Sequence, residues 1–484
     1  MKTRPHCLGA LLLVLPLLVP VHAVAGGGVE TRIRHYFATV LADTLADFAP
    51  VVTSTSTADP ATLPQRSLSL RHVDEWRARV WQAWQQTMTT TAQGRSSCPS
   101  ALMPTLVPLR DSVPHAWGLP EQLEPHAVMN YWWGTKGQRP AAGWPLYLYL
   151  HGSGPRDPEW QYGRLWALRF DDAPSAYFIP QIPNEGPWYR WWQRSKQWAF
   201  ERMLRRALAT GEIDPWHIYL LGISEGGYGS QRLAAFYADY LAAAGPMAGG
   251  EPLKNAPVEN CFGIGFSFLT GADDAMFYRN RLTGYTLQAF DSLQALARSG
   301  GVDSLYRHRI ELLPGQGHHI DYTRTTPWLK TFGRQPWPRR LAWEDFAIDG
   351  RHRRGFYNLM VERMPAADTT PEAERRVRYD MTVDGNTVRL DVRQVYYSTT
   401  ERDSLWGIEL RFDRTYKPAT SGRLRLFLDE RLVDMSRPVT VIVNGQRVFS
   451  GRLRANVADM ALSCATFFDP LRLFAASVVV EWGE

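Results

Sequence analysis

The sequence predicts an α/β protein: a mainly parallel, doubly wound sheet with N-terminal helices before it and a C-terminal β-sandwich-like domain after it. Three observations carry this. Between residues 127 and 339, short and nearly continuous apolar runs alternate with helical patterns, as strands buried on both faces require. Before that stretch, apolar residues recur at steps of three and four; after it, strictly alternating runs end in Asp-Gly or Asn-Gly. At 484 residues, the chain exceeds one compact core. Its 45 % hydrophobic and 21 % charged residues exclude disorder for most of the length.

Taken in order, Lys2 and Arg4 precede an apolar run from Cys7 to Val21, and Ala23-Val24-Ala25 then offers an A-x-A site before Gly26. This is the pattern of a cleaved signal peptide over residues 1–25. The run is too short, and carries too many prolines, to span a bilayer. The mature chain is expected in the periplasm or outside the cell, with no membrane span. Without Lys2 and Arg4 the formal charge of +6 falls to +4, spread without a basic run, so no nucleic-acid partner is expected. Cys98, Cys261 and Cys464 then remain. A Cys98–Cys261 disulfide and three buried thiols are both open readings. Their wide spacing excludes a C-x-x-C redox or zinc site.

Residues 26–126 read as a helical segment, with helices expected at Val29–Phe48 and Val73–Met88. Residues 127–339 carry strand-like runs at Ala127–Gly134, Pro145–Leu150, Ala176–Ile179, Ile218–Leu221 and Ile264–Leu269, with helices at Gln197–Ala209 and Gly229–Tyr240. Residues 340–484 form a β-rich tail. There Val377, Tyr379, Met381 and Val383 alternate before Asp384-Gly385, and Val439, Val441 and Val443 alternate before Asn444-Gly445. Both patterns are hairpin signals. Further strands are expected at Leu405–Phe412, Arg423–Leu428 and Ser477–Glu481. The tail reads as a module with its own core, dispensable for chemistry because every candidate catalytic residue precedes it.

Gly222-Ile-Ser-Glu-Gly226 follows the run Ile218–Leu221 and precedes a helix. In that context the glycines permit a tight turn that lifts the Ser224 hydroxyl above the sheet and leaves the Glu225 amide free to donate. A serine nucleophile needs a base and an acid that orients the base. Gly271-Ala-Asp-Asp274 and Gly315-Gln-Gly-His318 supply both at the carboxyl ends of strands, where open parallel sheets gather their sites. Asp273 and His319 are the neighbours that compete for these roles. A metal at His318-His319 is excluded, because adjacent side chains diverge and no carboxylate sits at ligand spacing. His151-Gly-Ser-Gly154, after another strand, places Gly152 and Ser153 around a second amide donor for an oxyanion. Trp191 and Trp192, in Pro187-Trp-Tyr-Arg-Trp-Trp192, either seat a substrate or pack the N-terminal helices onto the core.

In this order, HGSG, GISEGG, GADD and GQGHH resemble the α/β-hydrolases, and among them the poly(3-hydroxybutyrate)-depolymerase-like and prolyl-oligopeptidase-like secreted bacterial serine hydrolases. The resemblance covers roughly residues 127–335. It implies Asp274, as the last residue of G-x-x-D, for the acid and His318, as the histidine of G-x-G-H, for the base. The expected activity is a serine esterase without cofactor or metal, and polymeric and carbohydrate-linked esters fit it. Two other readings are carried along. One is a serine peptidase of the prolyl-oligopeptidase type, whose propeller domain has no counterpart here. The other is a non-catalytic secreted binding protein built on a hydrolase fold.

Overall fold

The structure is a computed structural model that describes residues 28–42, 45, 48, 58–91, 102–366, 370–371 and 374–483. The expected signal peptide and Cys98 lie outside these residues. Among the described residues no helix is long and apolar enough to cross a membrane.

The chain opens with α1 (Val29–Ala42) and α2 (Val73–Thr91). The strands β1 (His115–Gly118), β2 (Val128–Lys136) and β3 (Trp144–Leu150) follow. Next come α3 (Arg156–Arg169), β4 (Ser175–Pro180), α4 (Arg194–Ala209), β5 (Ile213–Ile223) and α5 (Glu225–Tyr237). The unit closes with β6 (Ala243–Met247), β7 (Gly265–Gly271), α6 (Arg279–Ser299), β8 (His308–Leu313) and α7 (Thr325–Leu329). The eight strands make one sheet in the order β1-β2-β4-β3-β5-β6-β7-β8. Neighbours from β4 to β8 pair in parallel, and β2 runs opposite to both β1 and β4.

The strands alternate which face they feed. Leu146, Leu148 and Leu150 of β3 join a core with Phe200 and Leu204 of α4. Tyr147 and Tyr149 join a second core with Trp160 of α3 and Leu329 of α7 on the other face. That two-sided burial is why these strands read as continuous apolar runs. Several elements go unnamed by the sequence patterns, β1, α3, β6 and α6 among them. The strand β6 is Ala-Ala-Gly-Pro-Met, small and proline-bearing where a central strand is usually branched. It is small because α7 presses on it: a Cβ on Gly245 would lie 2.5 Å from Thr325 Cγ2. The helix expected from Gly229 instead starts at Glu225, directly after Ser224.

The tail comprises β9 (Arg340–Asp345), β10 (Gly355–Phe356), β11 (Leu359–Arg363), β12 (Val377–Asp384), β13 (Thr387–Arg402) and β14 (Glu409–Pro418). After these come β15 (Gly422–Leu428), β16 (Val439–Val443), β17 (Gln446–Gly451), α8 (Val457–Phe467) and β18 (Ala476–Trp482). One sheet runs β17-β16-β13-β12-β9, with β14 added along β13, and the other runs β10-β11-β15-β18. They meet where Trp343 of β9 stacks on Phe356 of β10. The Asn444-Gly445 turn has both residues at positive φ, at 47° and 82°, as its hairpin type demands. In the first hairpin Asp384 stays in the strand opposite Thr387, and Gly385-Asn386 makes the turn. The strand expected from Leu405 begins at Glu409, because Asp403 accepts the Trp406 amide and folds residues 403–407 into a hairpin tip.

The tail does not have a core of its own. One continuous cluster of buried apolar residues runs from Ile33 and Trp84 through Phe178 and Leu220 to Phe427 and Trp482. A buried charge network crosses the same boundary. Asp239, just after α5, is bound by Arg353 and Arg472. Asp469 is bound by Arg472 at 2.8 Å and by Arg334 at 2.6 Å. Burial alone would push both carboxyls up, but the guanidiniums hold them below the usual aspartate range. α2 is stitched on as well: Arg77 reaches Asp429 at 2.9 Å. Cys261 and Cys464 are free, buried thiols.

Removing one partner of a buried ion network leaves unpaired charge in low dielectric. Asp239→Asn is therefore expected to cost about 3–5 kcal/mol of unfolding free energy, read as a lower urea midpoint. An unchanged midpoint would show that the network does not join the two parts.

Candidate active site

Ser224 caps the N-terminus of α5 at φ 57°, ψ −116°, a conformation that L-residues avoid. The turn closes only because its flanks lack side chains. A Cβ on Gly222 would lie 2.3 Å from Gly226 O, and one on Gly226 would lie 2.0 Å from Leu150 O. The Ser224 hydroxyl stands 3.0 Å from Nε2 of His318. His318 Nδ1 stands 2.7 Å from Asp274 Oδ2. Because Asp274 Oδ2 accepts from Nδ1–H, Nε2 is left to accept the serine proton.

The adjacent candidates separate by burial. Asp274 is buried, whereas Asp273 and His319 are exposed. The two loops are bonded to each other, since Asp273 N–H donates to Gln316 O and Ala272 N–H donates to Leu313 O. Arg279, at the start of α6, donates to the second oxygen of Asp274 at 2.6 Å. It follows two left-handed non-glycine residues, Phe277 and Tyr278, at φ 54° and 59°. Such strain persists where surroundings over-determine it, and here the tail supplies them. Tyr278 Oη donates to Asp403 at 2.7 Å, and Phe277 meets Trp406 edge-on at 4.6 Å between ring centroids.

The loop that carries Gly152 and Ser153 is built around His151, a residue to which the HGSG pattern alone assigns no role. It is fully buried, and burial lowers its pKa to about 4, so it is neutral near pH 7. Ile182 N–H donates to its Nε2 at 3.1 Å, so Nδ1 carries the proton and donates to Gly152 O at 2.8 Å. Tyr189 Oη donates to the same carbonyl at 2.8 Å. With that carbonyl held, the planar trans peptide directs the Ser153 N–H the opposite way. Gly152 lies so close to the serine that a Cβ there would sit 3.3 Å from Ser224 Cβ. The Glu225 amide, first in α5, has no intrahelical acceptor.

Trp191 does not line the site as a substrate platform. It is fully buried, and its Nε1–H donates to His151 O at 2.9 Å. Its place is beneath the 151–153 loop because Gly229 of α5 leaves room only for that ring. Trp192 does line a cavity beside the site, under the Arg232 guanidinium at 3.9 Å. Arg279, Tyr189 and Trp191 touch the site only through long-range folding; the aromatic motif at 187–192 contains two of them without giving their roles, and nothing local marks Arg279.

Glu225 sends its own carboxyl into the same cavity. Burial raises it to about 7, with Arg190 at 3.6 Å opposing and Glu251 adding to the rise. A carboxyl whose pKa is higher folded than unfolded binds its proton more tightly in the fold, so stability falls as pH climbs from about 4.5 through about 7. Glu225→Gln is expected to raise Tm above pH 7 and to match the parent near pH 4.5, read by calorimetry across that range. A gap that does not change with pH would contradict this placement.

No family model matches the chain, and no curated protein does. Among solved structures, a thermostable esterase aligns at 21% identity and TM-score 0.35, covering 47% of this chain and 64% of that one. The match thus spans less than two thirds of that esterase. A ferulic acid esterase aligns at 16% identity and TM-score 0.32, covering 46% of this chain and 98% of its own. The poly(3-hydroxybutyrate) depolymerase LpqC from Bordetella parapertussis aligns at 13% identity and TM-score 0.31, covering 43% and 84%. It is the architecture itself that assigns the fold. With β2 the reversed strand, parallel strands from β4 to β8 and a serine turn between β5 and α5, this part of the chain adopts the α/β-hydrolase fold.

Proposed function

We propose that the protein is a secreted serine hydrolase that cleaves carboxylic esters through an acyl-enzyme. The observation that supports this most is the hydrogen-bonded chain Ser224–His318–Asp274 at the carboxyl ends of β5, β8 and β7. In this reading His318 Nε2 takes the proton as Ser224 Oγ attacks the ester carbonyl, while Asp274 steadies the imidazolium. The Ser153 and Glu225 amides receive the developing oxyanion. The imidazolium then protonates the departing alcohol. Water, deprotonated by the same histidine, attacks the acyl-serine and releases the acid and the free serine. No cofactor or metal enters the sequence of steps, and small, polymeric and carbohydrate-linked esters all satisfy it. Export through residues 1–25 belongs to the same reading, and amino-terminal sequencing of exported protein is expected to begin at Gly26.

A panel of chromogenic esters run beside peptide amides tests the chemistry. Ser224→Ala and His318→Ala are each expected to lower kcat/KM by several orders of magnitude with the fold intact. Asp274→Asn is expected to lose roughly 10³ to 10⁴, and Asp273→Asn and His319→Ala little. Faster turnover of the amides would move the assignment to a peptidase, and full activity in Ser224→Ala would end it.

A further inference from the structure

A cavity of about 660 Å³ beside the site is lined by Ser153 and Glu225 among others, and its walls come from distant parts of the chain. One wall belongs to the hydrolase unit. The opposite wall is the tail's β13–β14 hairpin, through Arg402, Gly407, Ile408 and Glu409. The hairpin is fixed against the turn that carries Asp274 by Tyr278–Asp403, Phe277–Trp406 and a 2.7 Å pair between Arg281 and Glu401.

The lining charges cancel. Arg190 faces Glu225 at 3.6 Å, Arg232 holds Glu251 at 2.7 Å, and Arg402 holds Glu409 at 2.8 Å. With Glu225 ionised, above about pH 7, each guanidinium has a carboxylate and neither sign is in excess to select an ionic substrate. The rings of Trp192 and Phe277 add flat apolar surface. Glu225 Oε1 is buried on this wall with no hydrogen-bond partner among the described residues, and a buried polar atom left so calls for one.

We propose that the β13–β14 hairpin is the specificity-determining wall of the site, and that it selects an uncharged ester whose larger part fills this cavity and offers a hydrogen-bond donor to Glu225. This rests on the ester-hydrolase reading. The volume is that of a drug-sized group, so a small ester leaves most of the cavity to water and feels the hairpin little.

The test uses the full chain, with proton release from three methyl or acetyl esters: methyl acetate, methyl 3-(4-hydroxyphenyl)propanoate and 2-(4-hydroxyphenyl)ethyl acetate. The last two place the bulky group on the acyl and the alcohol side in turn. Ile408→Trp, which fills the cavity from the hairpin, is expected to lower kcat/KM for at least one bulky ester about tenfold and to leave methyl acetate within about twofold. Ile408→Ala is expected to raise the ratio of bulky to small ester. Replacing the phenol hydroxyl by a carboxylate is expected to cost about tenfold in the parent enzyme. Equal effects of Ile408→Trp on all three esters, or no effect at an unchanged Tm, would overturn the proposal, as would preference for the carboxylate analogues. Should the tryptophan variant lose stability, an unchanged ratio in Ile408→Ala overturns it instead. The two readings fail differently: if the parent hydrolyses none of the esters, the hydrolase reading falls, whereas hydrolysis that ignores Ile408 removes the hairpin's role alone.

Discussion

At φ 57° and ψ −116°, Ser224 occupies backbone space that costs a non-glycine residue about 1–3 kcal/mol, and much of the hydrolase unit is arranged to hold it there. Gly222 and Gly226 touch backbone on either side. Ser224 N–H donates to Met247 O at the end of β6, and Ser224 O accepts from Tyr228 N–H in the first turn of α5. The turn is thereby pinned between two strands and a helix. The strain has a use: it raises Oγ clear of the sheet to within 3.0 Å of His318 and turns the Glu225 amide toward the same space. A relaxed turn would lose both at once.

The site's remaining parts are held by groups that never meet the serine. Neutral His151 and Tyr189 share the Gly152 carbonyl, and Trp191 supports the loop from beneath. Arg279 neutralises the outer oxygen of Asp274 from a turn strained at two successive residues. That turn leans on Asp403 and Trp406 of the tail. The tail in turn is anchored through Asp239, Arg353, Arg472 and Asp469, deep between the two parts. The β-rich tail therefore belongs to the same core as the serine and to the wall of the same cavity.

How much of this was legible follows from the range of the interactions. The strands β3, β5 and β7 read directly from sequence because burial on both faces leaves continuous apolar runs, and the serine turn because only glycine fits its flanks. Sequence alone does not separate Asp274 from Asp273, and only the resemblance favours Asp274; in the structure Asp274 is the buried one, bound to His318 and Arg279. The strand β6 is masked by Pro246 and by Gly245, which is small because α7 packs against it rather than for strand propensity. Trp191 stays open between platform and packing in the sequence, because aromatic clusters before a helix give no sign of which ring turns inward. The hairpin's place beside Glu225 joins residues far apart in the chain, a separation that no local pattern can encode. For the same reason a tail with clean hairpin signals looked self-contained, although its core runs on into α2 and α4.

The proposed chemistry requires that Ser224, and no other hydroxyl, is activated by His318. Intact-mass spectrometry after reaction with a fluorophosphonate, followed by peptide mapping, tests this most directly, since the reagent phosphonylates only a serine whose hydroxyl is made nucleophilic by a neighbouring base. One adduct is expected, on the peptide containing Ser224, absent in Ser224→Ala and nearly absent in His318→Ala. An unmodified parent protein, or an adduct that persists in Ser224→Ala, would contradict it.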